Sequence, residues 1–195
     1  MKTAISLLTC FLILVASCAA SPKAVLKVSD ETGIKEAGLR VIENLLQRND
    51  YMLYRNGGLH YAEACTALGA LRLADKIGDK VLLNRIIRRY EKFLDEDSIL
   101  VSRHAHVDHN VEGIVPFQIY RITGDKRYFD LGLTFADSQW DNPRQDGLTE
   151  QTRWWIDDMY MVGMLQIQAY RATGQQKYAD RAAMQLAAYL KKLQQ

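Results

Sequence analysis

Residues 108–130, DHNVEGIVPFQIYRITGDKRYFD, return fifty residues later as 158–180, DMYMVGMLQIQAYRATGQQKYAD. Nine positions coincide: Asp108/Asp158, Gly113/Gly163, Gln118/Gln168, Tyr120/Tyr170, Arg121/Arg171, Thr123/Thr173, Gly124/Gly174, Tyr128/Tyr178 and Asp130/Asp180. A fainter copy ends at Gly78-Asp79. Self-similarity at a fixed period marks a supersecondary unit stacked on copies of itself. Gly78, Gly124 and Gly174 stand where one apolar-periodic run stops and the next begins, and there glycine adopts a helix-ending left-handed conformation at least cost. Each unit therefore reads as a helix, a tight turn and a returning helix.

The apolar residues Leu82, Leu83, Ile86, Ile87, Tyr90, Phe93 and Leu94 recur at three and four, which is helix spacing, and no run carries a strand signal. Helices are expected near residues 33–48, 59–77, 79–94, 108–123, 125–139, 158–173 and 175–193. Their connections alternate in length. Turns after the glycines are one or two residues, whereas the links 49–58, 95–107 and 140–157 are long and carry aromatics, His and Asp. In an array of helical hairpins the long links gather at one end, and loops on a rigid scaffold carry function. A period near 50 is too long for tetratricopeptide repeats, at about 34, and fits either an α/α toroid or a HEAT-like solenoid. Links of this length favour the toroid. The expected fold is all-α, helical hairpins of an (α/α)6 toroid, about the first half of the barrel.

Composition narrows the function classes. The 195 residues are 48% hydrophobic and 25% charged, as in an ordinary globular chain. Net charge is +2 with no long run of one sign, which argues against nucleic acid as a partner. Residues 1–20 differ. Lys2 is the only charge before Lys23, and Ala4 to Val15 form an apolar stretch too short to span a bilayer but suited to a signal peptide. Val15-Ala16-Ser17-Cys18 resembles the lipobox of bacterial lipoproteins, in which Cys18 becomes the lipidated first residue; cleavage near Ala20 by an ordinary signal peptidase is the alternative. Either way the chain is expected to be exported, its domain running from residue 21 to 195, with a lipid anchor as its only membrane contact. Cys65 then stands as a small, apolar core residue among alanines, with no disulfide framework.

At Val107-Asp108-His109-Asn110 and Trp154-Trp155-Ile156-Asp157-Asp158-Met159-Tyr160-Met161, followed by the Tyr170-Arg171-Ala172-Thr173-Gly174 turn, the chain resembles glycoside hydrolase families 88 and 105. These are the unsaturated glucuronyl and rhamnogalacturonyl hydrolases. The resemblance runs from about Tyr54 to Gln195. It implies an (α/α)6 barrel without metal or organic cofactor. The implied substrate is an unsaturated uronic-acid-terminated oligosaccharide of pectin or rhamnogalacturonan type, hydrated at its C4–C5 double bond so that the product falls apart. Matched position by position, Asp157 is the general acid/base and Asp108 the second carboxylate, holding substrate or steadying charge. Tyr54, in Tyr-Arg-Asn-Gly, matches a tyrosine of the substrate funnel. Protonating C4 of an enol ether builds oxocarbenium character at C5, to which activated water adds, so a proton donor is required.

Aspartate is also a favoured N-cap, and Asp108, Asp157 and Asp158 stand where helices begin. Of the paired aspartates one suffices to cap. The repeat register sets Asp158 opposite Asp108, while the family motif singles out Asp157; the cap is assigned to Asp158 and the chemistry to Asp157, with Asp158 as the fallback. Trp154 and Trp155 promise an apolar wall beside Asp157, and desolvation favours a carboxyl's protonated form. An indole face stacks on a pyranose ring, which makes Trp155 the first expected sugar contact. His104, His106 and His109 invite a metal reading, but the link from Asp95 reads as flexible and no fourth ligand stands at zinc-motif spacing. His109 is taken as a substrate contact instead.

Another α/α-toroid sugar enzyme, or a non-catalytic helical-repeat lipoprotein binding glycan or protein, stays open on the sequence. Six hairpins of about 50 residues need roughly 300 residues, and residues 21–195 supply three hairpins and a preceding helix. The resemblance also implies an Arg-Gly-Asn-Gly-Trp-like substrate-binding segment that does not occur here. The chain by itself is therefore expected to be incompetent in turnover.

Overall fold

The computed structural model describes residues 31–194; the leader 1–20 and Cys18 lie outside the described residues. The helices are α1 (Glu31–Gln47), α2 (Tyr61–Lys76), α3 (Lys80–Arg89), α4 (Val107–Asn110), α5 (Ile114–Thr123), α6 (Lys126–Ser138), α7 (Asp158–Thr173) and α8 (Gln176–Leu193). A 3-10 turn, Glu91–Leu94, follows α3, and another, Val111–Gly113, joins α4 to α5. Among the described residues the only β pairing is one antiparallel bridge, Leu53 with Leu59. The all-α hairpin array expected from the repeat is the fold.

The array has two rows. Helices α2, α5 and α7 pack side by side in the inner row, and each pairs with its successor, α3, α6 or α8, in the outer row. Helix α1 lies against α2 and α3 and begins the arc. The turns are built as the glycines foretold: Gly124 and Gly174 have φ of 75° and 70°, and their N–H groups donate to Tyr120 and Tyr170 carbonyls at 2.7 Å. Asp79 and Asp125 then start the returning helices by accepting from the amides of Leu82 and Arg127. The Gly78-Asp79 and Gly124-Asp125 turns thus carry a stop and a start signal in adjacent residues, whereas Gln175 after Gly174 makes no side-chain cap.

The repeat has a structural counterpart in the core. Gln118 and Gln168, one period apart, are buried and bonded to each other across α5 and α7 at 3.3 Å. Gly113 and Gly132 let α5 and α6 approach: a Cβ would lie 2.6 Å from Phe135 Cβ at the first and 2.8 Å from the Phe117 ring at the second. Fully buried Ile86, Ile114, Phe117 and Leu165 fill the space between rows, each contributing about 1.5–3 kcal/mol.

The helix expected over 108–123 is interrupted. Pro116 has no N–H for the Glu112 carbonyl, and its ring crowds that carbonyl, so the chain tightens into the 3-10 turn at Val111–Gly113. The arc ends in apolar flanks, with Ile34 and Val41 exposed on α1 and Leu190 and Leu193 on α8.

Candidate active site

The three long links converge at the N-terminal end of the inner row, and each is fixed by one buried carboxylate there. Glu63, in the first turn of α2, accepts from Met52 N–H at 2.5 Å, Arg89 Nη2 at 3.0 Å and Tyr90 Oη at 3.2 Å. Arg89 in turn donates to the carbonyls of Arg48 and Asp50, and Tyr51 Oη donates to the Arg89 carbonyl. The first link is thereby tied to α2 and α3.

Glu112 does the same for the second link. It is wholly buried and accepts from Leu59 N–H at 2.8 Å and Ser102 N–H at 2.6 Å, joining the first link to the second. Gly58 and Leu59 also donate to the carbonyls of Ile99 and Leu100. The link after Asp95, expected to be flexible, is therefore held by backbone bonds and by buried Leu100. Burial pushes the Glu112 carboxyl up to about 8, even though the two amides pull it down. A folded-state value above the ordinary 4.5 means that the protonated acid belongs to the fold: this stability is whole below about pH 4.5 and is lost as pH rises through about 8. The melting temperature should fall by at least about 5 °C between about pH 5 and pH 9, and Glu112→Gln should flatten that slope at a uniform cost for one lost acceptor. Parallel thermal melts of the two proteins check this; equal slopes would contradict it.

Asp158 fixes the third link. Its carboxylate is fully buried and accepts from Arg153 Nε at 3.0 Å, Arg153 Nη2 at 2.5 Å, Tyr189 Oη at 2.7 Å and the amides of Arg153 and Trp155 at 3.1 and 3.3 Å. The Trp154 amide donates to Tyr189 Oη at 3.2 Å. Three successive amides thus point at one acid and its tyrosine, which holds Trp154 at φ 66°, a left-handed conformation that costs a bulky residue about 1–2 kcal/mol. Burial, and then the bond to Asp158, push the Tyr189 phenol up to about 12. Asp158 does not cap α7 as expected: it is the first residue of the helix, and its carboxylate reaches backwards to the amides of the link instead.

Arg153 is the hub. Its guanidinium also takes both oxygens of Asp108, at 3.0 and 2.8 Å, so one cation bridges the second and third links. Burial lowers its pKa, but the bonds to Asp158 and Asp108 outweigh that and hold the charge more firmly. Asp108, expected as a helix-start aspartate, does not cap either: the N-cap is His106, whose Nδ1 accepts the Asp108 amide at 3.2 Å. His60 caps α2 in the same way through Ala62 N–H.

Asp157 occupies the N-cap position of α7 yet makes no capping bond, and it is exposed. One oxygen each of Asp108, Asp157 and Asp158 lies within 4.8 Å of the others. Two of the three are engaged by Arg153, which leaves Asp157 as the uncommitted carboxylate of the group. The apolar wall expected around it is absent from the described residues. Trp154 turns inward onto the Tyr189 ring at 4.9 Å, and Trp155, 61% exposed, has the Arg153 guanidinium 4.5 Å from its ring centroid.

Tyr54 joins the group, donating to the Asp108 carbonyl at 3.2 Å. Its ring lies between His60 and His109, at 4.5 and 4.0 Å. Burial raises the Tyr54 phenol well above its ordinary value, so it stays a neutral donor. His109, expected to touch substrate, is 7% exposed, and its Nδ1 is paired with Ser102 Oγ at 2.8 Å. Burial and the neighbouring His106 and His104 lower its pKa. Its place is a neutral support against the Tyr54 ring. The sequence-predicted Asp108, Asp157, Tyr54, Trp155 and His109 therefore all lie in one neighbourhood, with His109 inside it.

The model of Glycosyl Hydrolase Family 88 matches residues 35–195, which include every one of these side chains. The chain belongs to that family. No curated protein and no solved structure matches the chain. Family 88 membership makes this a glycoside hydrolase fold directed at unsaturated uronic acid substrates. The sequence did not single out Arg153, Tyr189, Glu63 and Glu112, which hold the links together at this end of the array. For Arg153 the available signal was its position five residues before a paired aspartate, where a buried acid needs a cation.

Proposed function

We propose that the site hydrates the C4–C5 double bond of an unsaturated uronic acid at the end of a pectin- or rhamnogalacturonan-type oligosaccharide, with Asp157 as the proton donor. The observation that carries this reading is the pair of carboxylates within 4.8 Å of each other, one held by Arg153 and one free of hydrogen bonds. Asp157 delivers its proton to C4 while positive charge develops at C5 and the ring oxygen. Asp108, anchored by Arg153, faces that charge as a fixed anion. Water then adds to C5 and surrenders a proton to the Asp157 carboxylate, so one water is consumed and the acid is restored. The resulting hemiketal opens and releases the neighbouring sugar. Trp155 offers its open face to a pyranose ring, and Tyr54 a neutral hydroxyl.

The described helices form an arc open beyond α1 and α8, and turnover is proposed to require further hairpins that close it. Incubation with lyase-generated unsaturated oligosaccharides, followed by the ultraviolet absorbance of the double bond, tests the reading. Loss of absorbance in a chain whose ring is closed supports hydration. Tight binding without any loss in such a chain would favour the glycan-binding alternative. Export through the 1–20 leader, with lipidation at Cys18, is proposed from the lipobox-like string. Fatty-acid labelling that survives Cys18→Ser would rule it out.

A further inference from the structure

The opposite end of the inner row holds a second concentration of charge. Arg72 of α2, Arg121 of α5 and Arg171 of α7 line one open cavity of about 550 Å³, together with Gln118, Lys76 and Asp75. Residues 158 and 171 stand at the two ends of α7, so this cavity lies roughly 20 Å from the aspartates. Arg121 and Arg171 are one repeat period apart, and the array therefore presents the same side chain from successive inner helices.

Two of the three guanidiniums are oriented from below by the paired glutamines. Arg72 Nε donates to Gln118 Oε1, and Arg171 Nη1 to Gln168 Oε1, both at 3.4 Å. Gln168 itself donates to Gln118 Oε1, so both arginines rest on one buried bond. These contacts leave most of the guanidinium donors unused. None of the three arginines forms an ion pair with a described carboxylate, in contrast to Arg85, Arg89, Arg127, Arg153 and Arg181. Four cations face the cavity against one carboxylate, Asp75.

A basic residue near a helix C-terminus can be explained by the last carbonyls and the helix dipole. That accounts for Arg121 and Arg171, each in the last turn of its helix. It does not account for Arg72, a turn further in from the end of α2, or for the three meeting in one cavity. Their mutual repulsion is felt: burial and then Arg121 and Arg72 lower the Arg171 pKa.

We propose that this cavity binds a multiply charged oxyanion, a phosphate or sulfate group. One guanidinium fork saturates a single carboxylate, whereas three forks from three helices match an anion whose oxygens point in several directions. The assignment is independent of turnover at the aspartates. Thermal melts of the 195-residue chain in sodium phosphate, sodium sulfate and sodium chloride at matched ionic strength test it. Phosphate and sulfate should raise the melting temperature saturably, and chloride should not. The double substitution Arg121→Gln with Arg171→Gln should weaken the response about tenfold or more, while Arg127→Gln, whose arginine is paired with Asp125, should leave it unchanged. A sugar sulfate binding at least about tenfold tighter than inorganic sulfate would assign the anion to an ester, and equal binding to the free ion. Should the double variant fail to fold, the phosphorus NMR linewidth of inorganic phosphate decides on the unmodified chain: broadening reversed by sulfate supports the site. Equal effects of chloride and phosphate, or a response unaltered in the folded double variant, would overturn it.

Discussion

Asp158→Asn should lower the stability of the chain by about 3–5 kcal/mol, some 10 °C in melting temperature, while Asp157→Asn next to it should change stability by less than about 0.5 kcal/mol. The two residues are neighbours of identical chemistry, so the contrast rests on environment alone. Asp158 has no exposed surface and receives five donors, two of them from the charged Arg153. Asparagine has the same shape but carries an NH2 where an oxygen must accept. It would leave donors of Arg153 or of the 153–155 amides facing another donor, and Arg153 with only Asp108 for charge compensation. The left-handed Trp154 loses its clamp as well. Asp157 accepts no capping bond and faces solvent, so its replacement removes nothing the fold uses. Calorimetric or circular dichroism melts of both variants measure the difference, and similar melting temperatures would sink this division of roles.

The hairpin architecture was legible because its signals are local. Gly124 and Gly174 mark left-handed turns that glycine alone adopts cheaply, and Asp79 and Asp125 start the next helices within their own turn. The clustering of Asp108, Asp157 and Tyr54 was legible for a different reason: repeat parity puts every long link at one end. What holds those links was not legible. Glu63, Glu112 and Asp158 act on partners 10 to 53 residues away as well as on near neighbours, and nothing in a glutamate's flanking sequence separates a buried anchor from a solvated one. The same limit explains His106 and His60, which cap helices through Nδ1 where Asp or Ser is the usual expectation. Trp154 and Trp155 were both expected to wall Asp157, with Trp155 as the sugar contact. The Asp158 clamp turns one ring inward onto Tyr189 and leaves the other facing out, so the wall predicted for Asp157 became half core and half surface.

In a chain that carries this segment within a closed ring, Asp157→Asn should reduce kcat by about 10²–10⁴-fold and leave KM and the melting temperature nearly unchanged. Hydration of an enol ether asks one group to give a proton to carbon and then to take one from water. Asparagine can do neither, although it fills the same space and retains polar contacts with bound sugar. Asp108 cannot stand in, because both of its oxygens are committed to Arg153. Asp158 cannot either, since its oxygens are saturated and buried away from any sugar. The loss should therefore appear in kcat alone, with no second acid to produce a slow background route. The measurement is the initial rate of double-bond absorbance loss for wild type, Asp157→Asn and Asp158→Asn, taken below the melting temperature of the least stable variant. If folded Asp158→Asn loses more activity than Asp157→Asn, the proton donor is Asp158, and the free carboxylate at the start of α7 has only an electrostatic part in the reaction.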